Sequence, residues 1–216
     1  MRTLHKLAFR LSIGLAIFLG LLLWYPVRTG YTRNALIIFP CILVLCLVIA
    51  LWKHKRLRWL PLIPHAALVV FLILPGRRME PAPLRAAYLE SLMRYEGTRY
   101  VWGGEGFRGV DCSGLLRAAM VDACVRESVR TFNPALARRA LDIWYHDASA
   151  GNLGDEVGGL TSRVGPALPL RDAADAREAG DFAITADGSH ALAYVGGGAW
   201  VEADPYVMKV IELKPG

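Results

Sequence analysis

The first 78 residues contain no aspartate or glutamate and 11 lysines or arginines, and between those cations lie three apolar runs at 7–27, 35–52 and 59–75. A helix needs about 20 residues to cross the hydrocarbon core of a bilayer. The pattern therefore predicts a membrane anchor over 1–78, with three spans at about 7–27, 35–52 and 59–75, and a separate domain over 79–216. Pro61, Pro64 and His65 interrupt the third run, which is the shortest. No small-residue cleavage site follows the first run, so it reads as a retained anchor rather than a signal peptide.

Flanks rich in lysine and arginine stay on the cytoplasmic side. Arg2 and Lys6 before the first run, with Lys53, Lys55, Arg56 and Arg58 after the second, supply six positive charges. Arg28 and Arg33 after the first run, with Arg77 and Arg78 after the third, supply four. Three spans with the amino terminus inside satisfy the rule and put 79–216 outside the cytoplasm. Two spans with the same start would keep it inside.

The net charge of +6 thus joins a cationic anchor to a mildly acidic remainder that carries all 19 acidic residues. Because the excess cations punctuate apolar runs, they read as membrane flanks, and nucleic acid is not an expected partner. The bilayer is, through residues 7–75. Cys41 and Cys46 lie in the second run, while Cys112 and Cys124, on one helix, would stand about 18 Å apart, beyond disulfide reach. An unpaired thiol outside the cytoplasm needs a reason to be there.

In the second part, apolar residues at helical spacing (Leu84, Ala87, Tyr88, Leu92, Met93) predict a helix that stops near Gly97. The stretch 98–109 reads as a Gly-rich loop. Asp111 is placed to cap a helix from Cys112 to about Arg126, with Leu115, Leu116, Ala119, Met120 and Ala123 facing inward. Another helix fits Pro134–Ala150, and 151–170 reads as a long loop. From Asp181 the period changes to two, giving four strands in "DFAITA", "HALAYVG", "AWVEAD" and "YVMKVIEL" with turns between them. Helices followed by an antiparallel meander make an α+β fold.

"GVDCSGLLRAAM" at 109–120 carries the chemistry. A thiol becomes a good nucleophile as a thiolate, which the free N–H groups and dipole of a helix start favour. Cys112 occupies that position beside small Ser113 and Gly114, whereas Cys124 lies near the inward stripe and reads as core. Nucleophilic catalysis also needs a base and a group to orient it. His146, late in a helix, reads as a helix-end cation, which leaves His190 at the start of a strand. A hairpin turning at Gly196–Gly198 would pair Val195 with Ala199, set Asp204 opposite His190 and bring Glu202 to it diagonally. Either carboxylate could hold the imidazole.

"YVWGG" at 100–104, "DCSG" at 111–114, "GDFAI" at 180–184 and "HALAYVGGGAWVEA" at 190–203 resemble, in order, the motifs of the NlpC-type cysteine peptidases, papain-like enzymes that cut bacterial cell-wall peptides. The resemblance covers most of 84–204 and implies a papain-like domain whose helices pack on an antiparallel sheet. It implies Cys112 as nucleophile, His190 as base, Glu202 as the residue that orients the base, and Tyr100 as an aid to the oxyanion with the Cys112 N–H. It favours Glu202 over Asp204. The chain departs from the family in having Glu at 202, where His, Asn or Gln is common, in Leu192, where Gly is common, and in a long step from Cys112 to His190.

The expected protein is thus a cysteine hydrolase of the bacterial cytoplasmic membrane with an extracytoplasmic catalytic domain, most simply an endopeptidase acting on peptidoglycan stem or cross-bridge peptides. An amidase or acyltransferase acting on a lipid-linked or acylated substrate is the alternative, for which an apolar channel at 151–170 opening toward the membrane would speak. A binding protein with a vestigial site fits less well, since Cys112, His190 and a carboxylate are all present. No cofactor or metal-ligand cluster is expected.

Overall fold

A computed structural model describes residues 2–173 and 177–214. Helices Arg2–Trp24 (α1) and Gly30–Ala50 (α2) are about 34 and 31 Å long. Each is long and apolar enough to cross a membrane, and most of their apolar side chains face outward. Thr29 and Thr32 cap the start of α2 reciprocally, each accepting the other's backbone N–H at 3.3 and 2.8 Å. The two helices pack together through the Phe18–Phe39 edge contact, and His5 Nδ1 lies 2.8 Å from the Ile49 carbonyl at the far end of the pair.

The third apolar run forms a 3-10 turn at Leu57–Trp59 and then a 12-residue helix, Leu62–Ile73 (α3), about 18 Å long. Two helices rather than three therefore reach spanning length among the described residues. The prolines set the start of α3. Pro64 fits only in a first turn, because deeper in a helix its ring would strike the carbonyl four residues back.

The rest is α+β, as expected. Pro81–Arg94 (α4), Cys112–Thr131 (α5) and Pro134–Tyr145 (α6) pack against one another. The four-stranded meander consists of Phe182–Ile184 (β3), Ala191–Gly196 (β4), Ala199–Asp204 (β5) and Lys209–Leu213 (β6). Leu115, Ala119 and Ala123 of α5 meet Ala191, Ala193, Val201, Ala203 and Val210 of the sheet in the main core. Small alanines on the strands let the helix lie close. Leu192, Tyr194 and Trp200 bury the other sheet face.

Several boundaries differ from the sequence expectation. Helix α5 runs on to Thr131 and ends at Phe132, in the left-handed region at φ 49°. Helix α6 stops at Tyr145, and Ser149 starts a separate short helix, Ala150–Gly154 (α7), by accepting from Asn152 N. A last short helix covers Leu170–Ala173 (α8). The expected Gly-rich loop contains a small hairpin, Glu105–Gly106 (β1) and Gly109–Val110 (β2).

The β4–β5 turn is one residue shorter than expected. Gly196 pairs with Ala199, Val195 is bulged out, and the turn is Gly197–Gly198, both at positive φ. Two left-handed residues give the turn whose twist matches the flanking strands. Beyond the bulge the expected register holds, with Tyr194 opposite Trp200 and Ala193 opposite Val201.

The amino-terminal helices are joined to the rest of the chain by backbone and side-chain contacts. Val27, in the α1–α2 loop, forms an antiparallel bridge with Gly104, and Arg28 N donates to Gly103 O at 3.0 Å while Glu105 N donates to Pro26 O at 3.1 Å. At the end of α3, the Leu72 and Leu74 carbonyls accept from Arg138 of α6 at 2.6 and 2.9 Å.

Candidate active site

The start of α5 is fixed by one carboxylate. Asp111 Oδ1 accepts from Gly114 N at 2.6 Å and from the Ser113 hydroxyl at 3.1 Å, and Oδ2 accepts from Gly103 N at 2.7 Å. Asp111 N in turn donates to Gly104 O at 3.1 Å. The loop 103–104 is thereby drawn so tightly onto the helix that a Cβ on Gly114 would lie 2.1 Å from the Gly104 carbonyl oxygen. This contact is the physical content of the "WGG" and "DCSG" motifs.

Cys112 is the first residue of α5 and is 8% exposed, more enclosed than a nucleophile flanked by small residues would suggest. Its Sγ lies 4.0 Å from the carbonyl of Ser189, the neighbour of His190. His190 is held at the mouth of β4 by the Thr185–Ser189 turn. Its N–H donates to Thr185 Oγ1 at 3.0 Å, and Asp187 accepts from the Thr185 and Ser189 hydroxyls at 2.6 and 2.8 Å. Those donors pull the Asp187 carboxyl down to about 2.

Nε2 of His190 donates to Glu202 Oε2, which orients the ring and leaves Nδ1 for the thiol. A hydrogen bond to Cys112 first, and to Glu202 second, pushes the His190 imidazolium up to about 10 against the opposing effect of burial. Asp204, the other carboxylate in reach by register, is engaged elsewhere. Its Oδ1 accepts from Tyr206 N at 2.6 Å and Val207 N at 3.0 Å and so closes the β5–β6 turn. Tyr100 is pinned by its N–H to Met208 O at 2.9 Å. Burial, and after it the charges of Cys112 and Asp111, raise its phenol, so its hydroxyl stays protonated.

The structure therefore brings Cys112, His190, Glu202 and Tyr100 to one place and leaves Asp204 out of it. A thiol at a helix start, an imidazole with one nitrogen held by a carboxylate, and a protonated phenol can together attack a carbonyl, move a proton to a leaving group and donate to an oxyanion. A model of the NlpC/P60 family matches residues 97–213, more than half of the chain, and these four residues lie within the match. The chain belongs to the NlpC/P60 family. A comparison with the curated proteins found no match.

NlpC/P60 membership makes the chain one of a family of cysteine peptidases and amidases that act on cell-wall peptides. The two other candidates in the NlpC/P60 region fall outside the cluster. Cys124 is fully buried among Leu136, Ala140 and Ile143, and burial pushes its thiol up to about 11. His146 ends α6 and contacts the carbonyl and carboxylate of Asp142 at 2.9 and 3.1 Å, a helix-end role. Among the described residues no group of three or more His, Cys, Asp or Glu is placed to hold a metal.

Sequence reasoning missed a buried charge cluster beside the site. Arg33 of α2, Glu105 of β1 and Arg117 of α5 meet there, with Arg33 1% and Arg117 5% exposed. Arg33 reads in sequence as a membrane-flank cation, and the available signal was that Glu105 is the lone acidic residue in the Gly-rich loop 98–109.

Proposed function

We propose that the chain is a membrane-anchored cysteine endopeptidase acting on peptidoglycan stem or cross-bridge peptides. The observation that carries this reading is the convergence of Cys112, His190 and Glu202, with the His190 ring oriented by Glu202 through Nε2. Cys112 Sγ attacks the amide carbonyl as thiolate, and the oxyanion is met by the Tyr100 hydroxyl and the Cys112 N–H. The His190 imidazolium gives its Nδ1 proton to the leaving amine as the C–N bond breaks, leaving an acyl thioester. His190 then takes a proton from water, whose oxygen adds to the thioester carbonyl, and the thiol leaves with the acid as product.

The anchor reading is that 1–78 crosses the cytoplasmic membrane three times and that the catalytic domain lies outside. The docking of the first loop supports it. Residues 26–33 touch the domain at one end of the α1–α2 pair, whereas the chain leaves α2 at the other end, near His5. The segment 51–75 must then return along the pair to reach α6, where the end of α3 is held by Arg138. Helix α3 covers about 18 Å of that return, after the 3-10 turn at Leu57–Trp59.

A cleft of about 910 Å³ lies beside residues 151–170, and its lining mixes charged Arg85, Glu156 and Arg163 with apolar Leu153, Leu168 and Trp200. The test is digestion of purified wall peptides by the full chain in detergent, against its Cys112→Ala variant, with products identified by mass. New fragments from the first alone are expected. No fragments from either would overturn the peptidase assignment.

A further inference from the structure

We propose that Arg33, a residue of the anchor, is a positioning residue for the nucleophile, acting through Glu105 and the segment 103–105. The inference rests on the thiol-hydrolase reading of Cys112, and it makes the first loop of the anchor part of the catalytic apparatus rather than a tether.

The contacts form a continuous chain. Arg33, in the first turns of α2, holds Glu105 with two nitrogens, NH2 to Oε1 at 2.6 Å and NH1 to Oε2 at 3.0 Å. Its guanidinium also donates to the carbonyls of Trp144 and Arg28. Arg117 of α5 reaches the same Glu105 Oε1 at 2.6 Å, and both arginines reach Asp147, at 3.4 and 3.0 Å. The Glu105 side chain is only 8% exposed. A planar, two-pronged pair of this kind fixes the carboxylate in direction as well as position.

The backbone of the same segment is clamped from both sides. On the anchor side, Pro26, Val27 and Arg28 pair with Gly103, Gly104 and Glu105. On the catalytic side, Gly103 and Gly104 bond Asp111, and Gly104 O packs against Gly114. Asp111 caps the helix that begins with Cys112. Arg33 is thus separated from the cap of the nucleophile's helix by one three-residue segment with no slack. Loss of its charge leaves Glu105 with Arg117 as its buried cation and removes the side-chain hold on one side of that segment, with only the backbone pairs to Pro26, Val27 and Arg28 remaining there. Small misplacements of a nucleophile cost rate out of proportion to their size.

The test uses the full chain in detergent micelles, with Arg33→Met, Arg33→Lys and, as a control at the other docking point, Arg138→Met. Two quantities are read at neutral pH: the rate of Cys112 alkylation by iodoacetamide, with the label mapped by mass, and kcat and KM on wall peptide. Protection of Cys124 from the same reagent reports the fold. Arg33→Met is expected to slow Cys112 alkylation and lower kcat by about 10- to 100-fold with KM within about twofold. Arg33→Lys should fall between, and Arg138→Met should match the wild type.

Wild-type alkylation and kcat in Arg33→Met with Cys124 protected would overturn the proposal. If Arg33→Met exposes Cys124, the Lys variant decides, since a wild-type rate there would also overturn it. A wild type that cuts no wall peptide while Cys112 alkylation still depends on Arg33 would sink the peptidase assignment and leave the positioning role standing.

Discussion

Glu202 holds His190 diagonally across the β4–β5 pair, while Asp204, which the strand register sets opposite His190, turns away to close the next turn. Glu202→Gln keeps the shape of that contact and removes its charge. The expected result is a fall in kcat of about 10²-fold, within the range that acid–base groups contribute. Asp204→Asn should leave kcat within about threefold, because only a turn is touched.

The same contact sets a pH dependence. The folded chain binds the His190 proton more tightly than the unfolded chain, with the group raised from 6.5 to about 10. The stabilisation is therefore complete below about pH 6.5 and is lost as pH rises toward 10. Activity of the folded chain that needs the imidazolium should hold through neutral pH and decline as pH approaches about 10. In Glu202→Gln one of the two raising contacts is weakened, so the alkaline limb should move to lower pH. A kcat/KM profile of both proteins checks the direction.

Tyr100→Phe removes a hydroxyl and little else. Loss of an oxyanion donor typically costs about 10²-fold or more in kcat. The account expects that loss with Cys112 alkylation nearly unchanged, since the phenol acts on the oxyanion and not on the thiol.

Gly114→Ala tests the tight approach of loop and helix. The added Cβ would sit 2.1 Å from the Gly104 carbonyl, which Asp111 N and the anchor loop hold in place. Overpacking against backbone costs about 1–3 kcal/mol. A lowered melting temperature together with loss of activity is the expected outcome, and wild-type values in both would show that the loop yields freely.

Membrane orientation is open to cysteine labelling. Tyr31 in the first turn of α2 and Tyr206 in the β5–β6 turn are 90% and 95% exposed. In intact cells, Tyr31→Cys and Tyr206→Cys should both react with a membrane-impermeant maleimide, and Lys53→Cys only after the membrane is opened. Reaction at Tyr31→Cys alone, with Lys53→Cys and Tyr206→Cys labelled only after the membrane is opened, would contradict the three-pass arrangement.

The α+β class, the helix beginning at Cys112 and the meander were legible because each rests on a local signal: the Asp111 cap, the 3.6 period through Leu115 and Ala119, and alternation from Ala191 onward. Register put both Glu202 and Asp204 within reach of His190, and the family resemblance chose Glu202. What sequence did not show depended on distant partners. Arg33 meets Glu105 across 72 positions, and nothing in a cationic flank marks it as half of a buried pair. The short turn at Gly197–Gly198 was hidden because three consecutive glycines give no local choice between two- and three-residue turns. Pro61 and Pro64 were visible in the third apolar run, yet their effect on where α3 begins is a matter of helix sterics rather than hydropathy.

The most direct test of the account is graded alkylation of the full chain at neutral pH, with the label on each cysteine mapped by mass and wall-peptide cleavage measured on the same samples. The account predicts that activity falls in proportion to label on Cys112 while Cys124 stays unmodified. Cleavage that persists with Cys112 fully labelled would contradict it.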